Sequence, residues 1–227
     1  AGSLPPAGRP TDADLLRPWL LPFVFERLIS SVGLFATALR PATALFVRVA
    51  LGTGPVETPA GADRDALQAL VVAVQRVLQH HGGVLLEASV DARGTCLYGN
   101  FGAAQVHEDD PSRALRAALE LRQRFDDDGL ELQIGLSSGT LCVGGYGGPT
   151  RRSFGAIVNE VNSAARLMAL ARPGEILLSG RTRQLLPDDD FAFEARAPVP
   201  LKGKTEPMAV FAAAGLQQRR AIRLQEP

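Results

Sequence analysis

Apolar residues switch period in a fixed order between positions 43 and 136, and that order narrows the folds open to this chain. Residues 43–50 read as a strand. Leu67, Leu70, Val71, Val74, Val77 and Leu78 then recur at helical spacing and stop at His80-His81-Gly82-Gly83, where Gly is the expected C-terminal punctuation. Residues 84–90 and 95–101 read as two short strands around the turn Asp91–Gly94. A second helix follows, with Ala114, Leu115, Ala118, Leu121 and Phe125 on one face. Asp109 or Asp110 can cap it, and Pro111 suits its first position. Leu130–Leu136 is the next strand. The sequence strand, helix, strand, strand, helix, strand predicts an α+β fold with a ferredoxin-like βαββαβ core, an antiparallel sheet with helices on one face.

The remainder reads as C-terminal αβ extensions. A strand is expected at Thr140–Val143, with the glycines of Gly139–Gly148 forming tight turns. A helix is expected at about 157–170, a strand at Glu175–Leu178 and a short helix from Arg181. Two last strands fall near Phe191–Glu194 and Ala209–Ala213. Residues 1–40 read as a tag remnant and helical lead-in, residues 41–215 as one domain, and residues 216–227 as a linker.

Charge excludes some partners. The 24 Lys+Arg balance the 24 Asp+Glu, so the strongly basic footprint of a nucleic-acid binder is absent. Only two of the cations are Lys, Lys202 and Lys204, and both lie in Leu-Lys-Gly-Lys-Thr-Glu-Pro; the other 22 (24 less two) are Arg. A compact ammonium is therefore kept where Arg would not serve. Two cysteines, Cys96 and Cys142, make no disulfide framework, which fits a reducing, cytoplasmic setting. The most apolar stretch, Trp19–Leu39, is interrupted by Pro22, Glu26, Arg27 and Gly33, short of the roughly 20 apolar residues of a membrane span.

The helix at 157–170 carries the chemistry. Asn159, Asn162 and Arg166 are spaced i, i+3 and i+7 and share one face, with Val161, Ala165 and Met168 available to the core. An amide orients an oxygen, and a guanidinium stabilises a charged phosphoryl transition state. Elsewhere the signals are bland. No Gly-Lys-Ser/Thr follows the glycine run, so it is not a P-loop. His80-His81 is a helix end, and His107-Glu108-Asp109-Asp110 is explained by capping.

Three segments, GTLCVGGYGGPTRRSFGAIVNEVNSAARLM, HEDDPSRALRAALELR and VPLKGKTEPMAVF, resemble the class III adenylyl/guanylyl cyclase catalytic domain in order and spacing. The resemblance covers residues 43–214, and LLRPWLLPFVFERL is similar to the helical lead-in of such domains. It implies head-to-tail dimerisation, with each site shared between partners. Asn162 and Arg166 match the family's transition-state Asn and Arg. Lys202 or Lys204 matches the phosphate-contacting lysine region. The family's two metal-binding aspartates are replaced: Arg48 stands at the first and Ala92 at the second, with Asp91 one residue away. A cation in place of a Mg²⁺ ligand would repel the metal.

This pattern is similar to the second cyclase half of tandem soluble adenylyl cyclase-like proteins. Arg93 then falls where such halves carry an adenine-recognising Lys. Asn159 falls at a base-contacting Asp, and Gly155 at a base-contacting Thr. One reading is a degenerate half-domain that lends Asn162 and Arg166 to a site converting ATP to cAMP and pyrophosphate. Mg²⁺ or Mn²⁺ would be bound mainly by another cyclase homology domain, and the isolated chain would be inactive. The other is a pseudocyclase acting as a regulatory or dimerisation module. Either would pair as a heterodimer, or as a homodimer when isolated, with no nucleic acid or membrane partner.

Overall fold

The computed structural model describes residues 15, 17–30, 37–49, 61–91, 93–148, 150, 152–157, 159–200 and 206–217. A 3-10 turn at Arg17–Trp19 and helix α1 (Pro22–Ile29) lead into strand β1 (Ala38–Val49). Helix α2 (Gly61–His80), β2 (Val84–Asp91), β3 (Gly94–Phe101), α3 (Asp110–Asp127) and β4 (Leu132–Gly147) complete the βαββαβ order. β5 (Arg152–Ile157), α4 (Asn159–Leu170), β6 (Ile176–Ser179), α5 (Gly180–Gln184), β7 (Phe191–Val199) and β8 (Met208–Leu216) follow.

The strands form one sheet in the order β2-β3-β1-β4-β6-β8-β7, with β5 also paired to β4. In the run β2-β3-β1-β4 each strand is antiparallel to its neighbour, as the split βαβ requires. β6 joins β4 in parallel, and β8 and β7 close that side in antiparallel fashion.

Side chains alternate along a strand, so the register assigns each β1 residue to a face. Leu45, Val47 and Val49 lie opposite Leu136, Ile134 and Leu132 of β4, and Val47 opposite Leu97 of β3. Leu70, Val74, Val77 and Leu78 of α2 and Leu115, Ala118, Leu121 and Phe125 of α3 cover that face, making the main core. Burying a Leu or Phe side chain is worth about 1.5–3 kcal/mol, so this layer supplies most of the apolar stabilisation. Ala44, Phe46 and Arg48 point the other way, and α4 packs there through Ala164. The one-face expectation for the core therefore holds for α2 and α3, and α4, from the C-terminal extension, covers the opposite face.

Other expectations change. β1 begins at Ala38 rather than 43, so the helical lead-in ends earlier; Phe23 of α1 sets its ring edge-on to Phe154 of β5 at 4.8 Å. Leu130–Leu136 and Thr140–Val143 are parts of one continuous strand, and the glycine run is its extension hairpinned onto β5, which was not expected. Glycine is permissive rather than turn-forming here. Of that run's described glycines only Gly147 has a positive φ, at 119°. β7 runs five residues past Glu194 as an edge strand, with a register shift between Arg196 and Val199 that accommodates Pro198. Asp109 occupies the N-cap of α3 without a side-chain cap bond, while Asp110 accepts from the His107 N–H at 2.9 Å. No described helix is long and apolar enough to cross a membrane.

The seat of α4 on β4 tests this packing. A Cβ built at Gly135 would stand 2.2 Å from Ala164 O and 2.3 Å from Met168 N, both backbone atoms that cannot swing aside. A Cβ at Gly215 meets nothing within 4 Å. Gly135→Ala is expected to cost about 3 kcal/mol, and Gly215→Ala under about 0.5 kcal/mol. Urea unfolding of both variants reads the difference; equal losses would show that the seat is not tight.

Candidate functional site

Gly135, Ser137 and Gly139 alternate along β4, so all three face α4. Gly135 admits the helix backbone, and a Cβ at Gly139 would stand 2.7 Å from Glu160 Cγ. Between them Ser137 Oγ donates to Glu160 Oε2 at 2.6 Å and lies 3.1 Å from Ser179 Oγ. Ser179 and Thr182 hydroxyls are 2.9 Å apart, and Thr182 Oγ1 accepts from Ser138 N–H at 2.8 Å. This hydroxyl chain pins the first turn of α4 to β4, β6 and α5. Sequence reading missed it; the Gly-x-Ser-x-Gly alternation within a strand is the signal that marks it.

So seated, α4 buries Ser163, Ala164, Leu167 and Met168. Of the residues expected to face the core, Met168 is buried, and Val161 is half-buried but packs against the core; Ala165 is half-buried, and Ala164 and Leu167 are fully buried. Asn159, Asn162 and Arg166 are exposed together on the outer side. Their side chains make no hydrogen bond or ion pair with any described residue. Arg93, Arg113, Arg116, Arg183 and Arg196, by contrast, each hold a carboxylate.

The sheet face beneath α4 is built from β1 and β3. Phe46 and Tyr98 are register partners whose rings stack at 4.6 Å and 7°. Tyr98 donates to Ala156 O at 3.1 Å and accepts from Asn100 Nδ2 at 3.3 Å; burial pushes its phenol far up. Cys96 reaches Met168 of α4, Sγ to Sδ 3.7 Å, and burial raises its thiol, with the Arg48 charge opposing that rise. Both cysteines are half-buried.

Arg48 lies between Cys96 and Gln133 in the register. It is only 9% exposed, and its Nε has no hydrogen-bond partner among the described residues. A buried donor left unpaired is costly. Asp91, opposite Gly94 at the end of the β2–β3 hairpin, shares this face. Its Oδ1 accepts from Arg93 N–H at 2.7 Å and its Oδ2 from Arg93 Nη2 at 3.1 Å. Those bonds, with the more distant Arg48 charge, hold the carboxyl below its ordinary range. The register thus places Asp91 on the Arg48 face. Ala92, Lys202 and Lys204 lie outside the described residues.

The donor set does not fit the divalent ion that the family resemblance implies. Mg²⁺ requires oxygen ligands in near-octahedral array. This face offers a buried guanidinium, a thiol, the exposed Glu87 carboxylate opposite Tyr98, and the Asp91 carboxylate already clamped by Arg93. Among the described residues, no three His, Cys, Asp or Glu donor atoms converge on it.

Comparison with known proteins agrees with this architecture. Residues 64–214 match the family described as the Adenylate and Guanylate cyclase catalytic domain. The chain is 34% identical over 152 residues to an uncharacterized protein of Mycobacterium tuberculosis (strain ATCC 25618 / H37Rv), covering 65% of this chain and 34% of that protein. A second uncharacterized protein of the same strain is 30% identical over 154 residues, covering 66% and 28%. The chain spans about a third of the length of these relatives. Its fold is similar to the crystal structure of the adenylyl cyclase CyaB from P. aeruginosa, with TM-score 0.68 and 25% identity over 82% of this chain and 98% of that chain. It is also similar to the guanylate cyclase domain of RhGC from Catenaria anguillulae in complex with GTP, with TM-score 0.68 and 22% identity over 78% and 98%. The chain belongs to the adenylate and guanylate cyclase catalytic domain family.

Proposed function

We propose that this domain is a degenerate, second-type adenylyl cyclase half that completes a shared site on a metal-bearing partner domain. The carrying observation is the exposed stripe of Asn159, Asn162 and Arg166, uncommitted to any described residue, on a helix held rigidly from behind. In this reading Asn162 orients the ribose of ATP, whose 3′ oxygen attacks the α-phosphate as pyrophosphate leaves. Arg166 stabilises the charge that builds on the α-phosphate. Asn159 and Arg93 contact the base, and Lys202 or Lys204 the phosphates. Catalytic domains of this family use Mg²⁺ or Mn²⁺; the metal belongs to the partner, because Arg48 occupies the first aspartate position here.

A second reading rests on the other half of the site. The buried Arg48 and the Arg93–Asp91 clamp leave one of the two positions of a head-to-tail dimer without metal donors. A pseudocyclase used for regulation or dimerisation has the same feature.

The two readings separate in one experiment. The chain alone is expected to make no cAMP from Mg·ATP. Mixed with a cyclase domain of the same parent protein that carries both aspartates, it is expected to support turnover. Arg166→Ala in that mixture is expected to lower kcat by roughly 100- to 1,000-fold. A stable complex without turnover supports the pseudocyclase; turnover by the chain alone overturns both readings. Arg48→Met replaces a buried charge with an apolar side chain of similar length, a kind of change that is often neutral or stabilising. It is expected to leave turnover of the mixture unchanged, and a large loss of rate would place Arg48 in the working site.

A further inference from the structure

We infer that the turn after α2 and the outer face of α3 form a binding site for a zinc-type divalent cation, with His80, His81 and Glu120 as ligands. One ligand atom from each of these side chains lies within 4.8 Å of the others, and no other group of three such donors occurs among the described residues. The chain has three histidines in all, and two of them are here.

Neighbouring residues inside a regular helix do not face each other. His80 and His81 escape that rule because the helix ends between them. Gly82 takes φ +83°, Gly82 N–H bonds to Gln79 O at 3.0 Å and Gly83 N–H to Leu78 O at 2.7 Å, closing a Schellman turn. Leu78, fully buried, anchors the turn to the core. The two imidazoles therefore lie edge to face at 5.0 Å on a fixed backbone. His81 Nε2 is 2.7 Å from Glu120 Oε2, so the turn already reaches α3.

The chemistry of the set selects the ion. Imidazole nitrogens suit Zn²⁺, Ni²⁺ and Cu²⁺, whereas Mg²⁺ prefers oxygen ligands throughout. Two His and one Glu satisfy three of the four positions of tetrahedral zinc, leaving the last for water. On binding, His81 would present Nε2 to the ion as the Nδ1–H tautomer, and its separation from Glu120 would open from 2.7 Å to about 3.3 Å, the span across a tetrahedral ion. His80 and Glu120 are exposed, which gives the ion an entry path. Two groups beside Gly82 are committed elsewhere: Arg113 to Asp109 at 2.7 Å, and His107 to Asp110 at 3.2 Å. The site lies on the α2–α3 side of the sheet, away from α4, so it does not depend on the cyclase reading.

The untagged chain, stripped with EDTA, is titrated with Zn²⁺ by calorimetry and with Co²⁺ by visible absorption. One equivalent is expected to bind, with the spectrum of tetrahedral Co²⁺. At 100-fold excess over Kd, zinc is expected to raise the Tm by about 5–10 °C. His80→Ala and Glu120→Gln remove exposed side chains, so both variants are expected to fold with a near-normal Tm without metal. Each is expected to weaken binding roughly 10-fold or more, since even the groups behind metal ligands are worth roughly 10–100-fold. Less than one equivalent bound by the unaltered chain, or affinity unchanged in both variants, would overturn the site.

Discussion

The fold of this domain turns on a place where a helix backbone meets a strand with no side chain between them. At Gly135 the strand β4 presents only hydrogen to α4, and the helix carbonyl of Ala164 and amide of Met168 occupy the space that any other residue would fill. Such close approach is a use of glycine that no larger residue can reproduce. Two residues on, Ser137 replaces shape with a hydrogen bond to Glu160, and at Gly139 shape takes over again. Depth and rotation of α4 are thereby fixed from the strand side. With rotation fixed, the outward positions are fixed too, and these are Asn159, Asn162 and Arg166.

The floor of the same face is built on the opposite principle. β1 and β3 contribute large or charged groups: the stacked Phe46 and Tyr98, the half-buried Cys96, and Arg48, whose Nε is unpaired among the described residues. An arginine in this position cannot act as a metal ligand, and its charge opposes a cation nearby. The one carboxylate at the hairpin end is satisfied by its own turn, since Arg93 donates to both oxygens of Asp91 from two residues away. The local chemistry is self-contained in a way that the stripe on α4 is not.

How much of this was legible in the sequence depends on which residues carried the signal. α2 and α3 were readable because Leu70, Val74, Val77 and Leu78, and Leu115, Leu121 and Phe125, repeat at helical spacing and all of them face one core. β4 was read as two strands with turns because glycines at 139, 144, 145 and 147 erase alternation, and glycine ordinarily signals a turn. β5 was lost with it, since it exists only as the partner of that glycine-rich extension. The placement of α4 on the face opposite α2 and α3 is a property of β4, not of α4, and a helix pattern alone does not carry it. The polar stripe was legible from spacing, and the family resemblance gave Arg48 its meaning. The isolation of Arg48 Nε, and the Ser137–Glu160 bond that orients the stripe, exist only in three dimensions.

The two halves of the face meet at a sulfur contact, Cys96 of β3 to Met168 of α4 at 3.7 Å, but different groups hold each of them. α4 is held from the strand side by Gly135, Ser137, Gly139 and Ser179. The hydrogen bonds that seat the first turn of α4, and with it Asn162 and Arg166, run through Ser137 and Ser179 rather than through Arg48. On the proposed reading, an altered floor beside an intact helix stripe means that this domain keeps one half of a shared site and lacks the other.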